Sequence, residues 1–170
     1  MSLWVPLYET SLESVKSTIS TFFKVFPNGM IWSNDTDGIG YDLVLFGQAE
    51  ETNINVDILG KRWDNPNYAQ VRQSLFDVGF YQLNDLLSTY AGNAHDLKKW
   101  MADAQINTDR NLRLGYLAGM ALNNAQAAGI FFDICNNYQY PKTLFSGTDE
   151  ELVPLFQAID NKMCVSRKKE

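Results

Sequence analysis

The order of elements written into the first 47 residues constrains this chain more than anything else in it. Trp4-Val5-Pro6-Leu7-Tyr8 reads as a strand, and Leu12, Val15, Ile19, Phe22, Phe23 and Phe26 then recur at helical spacing. Thr10-Ser11-Leu12-Glu13 has the capping-box pattern, in which a hydroxyl and a carboxylate satisfy orphan amides. A helix is therefore expected from about Ser11 to Phe26, stopped by Pro27-Asn28-Gly29. Met30-Ile31-Trp32 and Tyr41-Asp42-Leu43-Val44-Leu45-Phe46-Gly47 read as two further strands. The stretch Ser33 to Gly40 between them carries Asn-Asp and Asp-Gly turn chemistry, so the two are expected to pair antiparallel at a sheet edge. No Gly-rich strand-to-helix turn of the kind that holds a nucleotide phosphate precedes Trp4 or follows it. Trp4 reads as entering partway through a strand. The natural protein is accordingly expected to continue upstream, with Met1-Ser2-Leu3 as an added start.

At 170 residues, with 45% apolar and 13% aromatic content, the chain can bury one good core, or a small sheet with a helical appendage. A net charge of −6 argues against binding a phosphate backbone, because basic side chains supply most of that affinity. The only basic cluster is Arg167-Lys168-Lys169 at the tail. An acidic surface favours a cationic ligand such as an amine, although an acid surplus ordinarily serves solubility. Cys135 and Cys164 form no CxxC pair, so free thiols in a reducing, cytoplasmic setting are expected. No apolar run approaches the roughly 20 residues that cross a bilayer, and no signal segment opens the chain.

After Gly47 the sequence turns polar and acidic through Gln48-Ala49-Glu50-Glu51-Thr52-Asn53, and strand patterning is not expected to return. Two domains follow from this shift, a sheet portion over 1–48 and an all-helical extension over 49–170. Helices are expected at about Val56 to Trp63, Tyr68 to Val78, Gln82 to Tyr90, Ala94 to Met101, Asp109 to Leu122, Ala125 to Tyr138 and Asp149 to Met163. Gly79 and Gly92 suit the positions just past helix ends, and Thr148-Asp149-Glu150-Glu151 is a second capping box. Gly115, Gly119, Ala121, Ala125 and Gly129 would let two helices approach closely. Trp63, Trp100, Phe76, Phe80, Phe131, Phe132 and Phe156 read as core anchors of the helical half.

The strand ending Trp-Val-Pro-Leu-Tyr-Glu, the helix closing in Val25-Phe26-Pro27 and the strand with Trp32 resemble the late part of spermidine synthase-like proteins. Ile106-Asn107-Thr108-Asp109 with Leu114 and Tyr116 is similar to a family segment written Asn-Thr-Asp-Asp, two residues, then Leu-Glu-Tyr. Arg110 replaces the second aspartate, Gly115 replaces the glutamate, and the Ser33 to Tyr41 loop lacks the family's Tyr-Pro. The resemblance implies an α/β, helix-rich fold: the late strands of a Rossmann-like, methyltransferase-type sheet with an antiparallel edge hairpin, followed by the helical extension. It also implies that the parent protein transfers a group from an S-adenosyl nucleoside to an amine-like acceptor. The family's catalytic aspartate and nucleoside-binding acidic residue lie on earlier strands. No catalytic, cofactor-binding or metal residue is therefore expected in this chain, and its expected partner is the upstream Rossmann-like portion or a second copy.

Strand carboxyl ends in such sheets face the ligand crevice, which puts Tyr8 and Glu9 on its rim with the Ser33 to Gly40 loop beside them. Asp35 and Asp37 could hold an ammonium group by charge-assisted hydrogen bonds, or simply initiate turns. Their Asp-Thr-Asp-Gly string lacks the remaining ligands of a calcium loop. Tyr8 and Tyr41 are read equally as rim contacts and as half-buried sheet residues. Asn107, Thr108 and Asp109 suit helix capping, while the resemblance gives Asn107 and Asp109 a role in covering the crevice. His95, the one histidine, is expected in a solvated or helix-end role, because Asp85 and Asp103 show no metal-ligand spacing with it. A second reading makes the helical half an interaction or scaffolding module with no catalytic role.

Overall fold

The opening 47 residues form the series their patterning predicts: β1 (Ser2–Pro6), α1 (Leu12–Val25), β2 (Met30–Asn34) and β3 (Asp42–Phe46). The computed structural model describes residues 1–35, 40–120, 125–137, 139, 141 and 143–167, with side chains through 162. Further on come β4 (Ile54–Asn55), α2 (Val56–Asp64), α3 (Ala69–Asp77), α4 (Leu83–Leu87) and β5 (Tyr90–Asn93). The remaining elements are α5 (Arg113–Met120), α6 (Ala127–Asn137), β6 (Phe145–Ser146) and α7 (Asp149–Arg167). Two compact units result, one built mainly from residues 1–51 and 90–139, the other from 52–89 and 140–162.

In the first unit the strands lie in the order β1-β3-β2-β5, and each neighbouring pair is antiparallel. Trp4 and Trp32 both oppose Val44, while Pro6 and Asn34 both oppose Asp42. β1 and β2 therefore run in the same direction with β3 between them, and α1 is the crossover that joins them. The expected pairing of β2 with β3 is present, but not at the edge, because β1 closes on one side of the pair and β5 on the other. Side chains alternate across the sheet: Val5, Leu7, Ile31, Leu43 and Leu45 are buried on one face, whereas Trp4 is 53% and Phe46 44% exposed on the other.

Ser11 caps α1 by accepting from the Ser14 amide at 3.2 Å. The capping box expected from Thr10 and Glu13 does not form, because the cap is Ser11, one residue later, and the Glu13 carboxylate pairs with Arg113. Val15, Ile19, Phe22 and Phe23 make the helix's buried stripe at the spacing read from the sequence.

The segment after Gly47 is not all helical, because Tyr90-Ala91-Gly92-Asn93 joins β2 as a fourth strand. Ile31 opposes Gly92 and Trp32 opposes Tyr90, which leaves Ala91 as a bulge. Gly92 holds φ +131° at this irregularity, so its left-handed backbone serves a strand and not a helix end. Residues 90–92 are buried, so no polar alternation marked the strand. The helix expected over Ala94 to Met101 is reduced to a single 3-10 turn at Asp96–Lys98. Gly115, Gly119 and Gly129 have open space where a Cβ would stand, so they do not serve the close helix approach expected of them.

In the second unit β4 and β6 pair in parallel, with Ile54 opposite Phe145. Asp57 on α2 accepts from both the amide and the hydroxyl of Thr148, and the Glu151 amide donates to the Thr148 carbonyl and not to the hydroxyl as the expected capping box of α7 requires. Leu155 and Ile159 of α7 are fully buried. α3 buries none of its residues, and Phe76, expected in the core, is 41% exposed. Among the other expected anchors, Trp100 and Phe131 are buried in the first unit, whereas Trp63, Phe80, Phe132 and Phe156 are partly exposed.

The sheet's buried face should dominate the stability of the first unit. Ile31→Ala is expected to cost about 2–5 kcal/mol in urea unfolding, and Phe46→Ala less than half of that.

Candidate functional site

The carboxyl ends of β1 and β2 meet the start of β3 at one edge of the sheet. Beyond the named strands the ladder continues by one step on each side: the Leu7 amide donates to the Tyr41 carbonyl at 2.9 Å, and the Tyr41 amide to the Asn34 carbonyl at 3.1 Å. Tyr41 is thereby held opposite the end of β1. Its ring stacks on that of Tyr8, with centroids 4.8 Å apart and planes 29° from parallel. Trp4 extends the row, its ring 6.3 Å from Tyr8. Crowding by its neighbours desolvates the Tyr8 phenol and pushes its pKa up, and the fields of Tyr41, Asp42 and Glu9 act in the same direction.

Asp42 lies in this edge with only 7% of its surface exposed. Its Oδ1 is buried and has no hydrogen-bond partner among the described residues. An unpaired buried carboxylate is costly, so this atom calls for a partner. Next to Tyr8, Glu9 adopts φ +50°, a left-handed conformation rare outside glycine. There the chain swings out of β1 so that Thr10 can bridge to Ala125 and Ser11 can cap α1. Gly40, at φ +73°, runs so close to α6 that a Cβ would fall 2.5 Å from that of Phe131.

Of the residues expected at the rim, Tyr8, Glu9 and Tyr41 are thus brought to one edge. Asp35 follows β2 and accepts from the Ser33 hydroxyl at 3.4 Å, while Asp37 lies outside the described residues. Asn107 is engaged elsewhere: its amide donates to Thr21 Oγ1 at 2.8 Å and its Oδ1 accepts from the Leu114 amide at 2.9 Å. Thr21 is ten residues beyond Ser11, about 15 Å along α1. Asp109 is exposed in the turn that Thr108 and Asn111 close with reciprocal bonds. Sequence reasoning passed over Asp42. The only signal was an aspartate inside an otherwise apolar strand, a position where that residue is depleted.

Two other polar groupings resolve differently. A cavity of about 380 Å³ at the start of α1 is lined by Ser11, Glu13, Lys16, Asp103 and Gln126. Lys16 already donates to Asp103 at 2.8 Å and sits 5.4 Å over the Trp100 ring, so its charge is spent within the protein. Beside β5, Asp96 has a side chain only 7% exposed, with Oδ1 3.7 Å from an exposed His95, the solvated position expected of that histidine. Among the described residues, no group of three or more His, Cys, Asp or Glu could hold a metal ion.

Desolvation holds the Asp96 carboxyl above the usual range, against the opposing pull of His95 and of backbone amides. A raised folded-state pKa means that the group's contribution to stability is fully present below about pH 4 and is lost as pH rises through the raised value. In a His95→Gln background, the melting temperature relative to that of Asp96→Asn should therefore climb on acidification from about pH 7 toward about pH 4. A constant difference between the two proteins would refute the assignment.

Compared with protein-family models, with curated proteins and with solved structures, the chain matches none.

Proposed function

We propose that this chain is the C-terminal portion of a spermidine synthase-like transferase, supplying crevice rim and helical cover while upstream strands hold an S-adenosyl nucleoside. The reading is carried by one arrangement: β1 and β2 run the same way, are joined by α1, and end together beside Tyr8, Glu9, Tyr41 and Asp42. Ligands of open α/β sheets bind outside strand carboxyl ends, and the shared direction of β1 and β2 supports taking this edge as the ligand-facing one by analogy. In its finer form the sheet is the late part of a Rossmann-like, methyltransferase-type sheet. β1 then pairs through its outer edge with a strand of the upstream portion, or of a second copy. The acceptor is a cationic amine. Tyr8, Glu9, Asp35, Asp37 and Tyr41 border it, and Asn107 and Asp109 belong to the cover. Positioning and a carboxylate that orients the nucleophilic nitrogen supply the chemistry of such a transfer.

A second reading, an interaction module with no catalytic role, is favoured by α3, where Val71 and Phe76 are exposed and no residue is buried. Calorimetric titration with S-adenosylmethionine separates the two. Saturable binding is expected for a polypeptide extended upstream and not for the 170-residue chain. Binding by the 170-residue chain alone would overturn the division of labour, and binding by neither would favour the interaction module.

A further inference from the structure

We infer that α3 is the centre of a two-fold interface, and that what covers it is α3 of a second copy of this chain, packed antiparallel. Such an interface deepens the interaction reading and rests on it for α3 being a docking surface, not for the absence of catalysis. Between Val56 and Leu87 no residue is buried, although most of that stretch is helical. Tyr68, Val71, Leu75 and Val78 follow one another at spacings of three, four and three, the period of a seam that packs one helix on another. Three of the four stand open, Tyr68 at 45%, Val71 at 58% and Val78 at 68% exposure. Phe76 and Tyr81, edge to face with centroids 5.3 Å apart, add exposed rings on the flank. At roughly 150–250 Å² for each large side chain, these five leave on the order of 500 Å² uncovered. With a polar rim, that approaches the about 800 Å² per partner of a standard interface.

The charges select the partner. α3 has no acid in its first turn and no base in its last, and its Arg72 and Asp77 lie the wrong way round for its own macrodipole. Arg72 donates to the Trp63 carbonyl at 2.8 Å, which holds the last turn of α2, with exposed Lys61 and Arg62, to the first half of α3. Neither Lys61 nor Arg62 forms an ion pair among the described residues. One end of α3 therefore carries a surplus of base over Asp64, and the other closes on Asp77 with Asp85 beyond it. Such a surface repels a copy laid parallel and attracts one laid antiparallel, because each basic end then meets an acidic end and the two dipoles oppose. A two-fold axis at Gln73 also sets Val71 against the partner's Leu75 and Tyr68 against the partner's Val78, so the seam complements itself.

Sedimentation equilibrium of the whole chain, from about 10 μM to about 1 mM, tests this at low salt, where the charged ends are least screened. A monomer–dimer equilibrium is expected, and it should weaken as salt is added. Val71→Lys should raise Kd at least about tenfold by putting a charge in the seam. Val25→Lys, at a comparably open position of α1, should leave Kd unchanged. Asp77→Lys should raise it at least about threefold, and adding Lys61→Asp and Arg62→Asp to that variant should restore it. A monomer throughout the range would overturn the interface, as would a dimer that Val71→Lys leaves intact, since β1 or another surface would then hold it. Charge reversal without effect, or not rescued by the added acids, would overturn the antiparallel copy. A monomer leaves the nucleoside titration to decide between the two functional readings, while nucleoside binding by the extended polypeptide removes the interaction-only reading and leaves the dimer standing.

Discussion

The first unit depends on the insertion of β3 between two strands that run the same way. Each of its residues from Asp42 to Phe46 faces a partner in β1 and another in β2, so five residues order ten. A one-residue slip of β3 would turn Leu43 and Leu45 out of the core and Asp42 and Val44 into it. Register and burial therefore enforce each other. The same insertion sends the ends of β1 and β2 to one edge, which brings Tyr8 and Tyr41 into contact across an intervening sequence of more than thirty residues.

Legibility followed local periodicity. α1 announces itself by an apolar stripe and a hydroxyl at its start, and both survive in the fold, because its buried face and its cap are local properties. The ion pair of Glu13 was not local: its partner, Arg113, is a hundred residues away. β5 fails for a related reason. Four residues buried through most of their length, with a bulge at Ala91, show neither alternation nor length, and only the vacant side of β2 gives them a strand's conformation. Gly92 was misread because a left-handed glycine looks the same in sequence whether it ends a helix or eases a bulge.

The candidate site divides along the same line. That Tyr8, Glu9 and Tyr41 share one edge was legible because they adjoin the ends of strands whose patterning is local. Asn107 was placed by a string of letters, and its actual bonds to Thr21 and Leu114 fasten the segment before α5 to α1. Asp42 was hidden for the opposite reason. Its position reads as structural, and only the three-dimensional count of donors shows that the carboxylate has been buried without one.

The same count leaves Oδ2 of Asp96, like Oδ1 of Asp42, without a partner among the described residues. Asp96 is assisted by His95 and by backbone amides, and desolvation shifts it toward the neutral form, so the fold can satisfy it by protonation. Lys16 is likewise closed by Asp103 and Trp100. At Asp42 the proline in register on β1 has no amide hydrogen to offer. A site that had evolved only for stability would replace this aspartate by an apolar residue of similar volume, since burying an unpaired acceptor costs about 1–3 kcal/mol. Asp42 instead leaves an unpaired acceptor at the edge where two strand ends and three aromatic rings converge, a local cost that the doubly paired β3 has to carry.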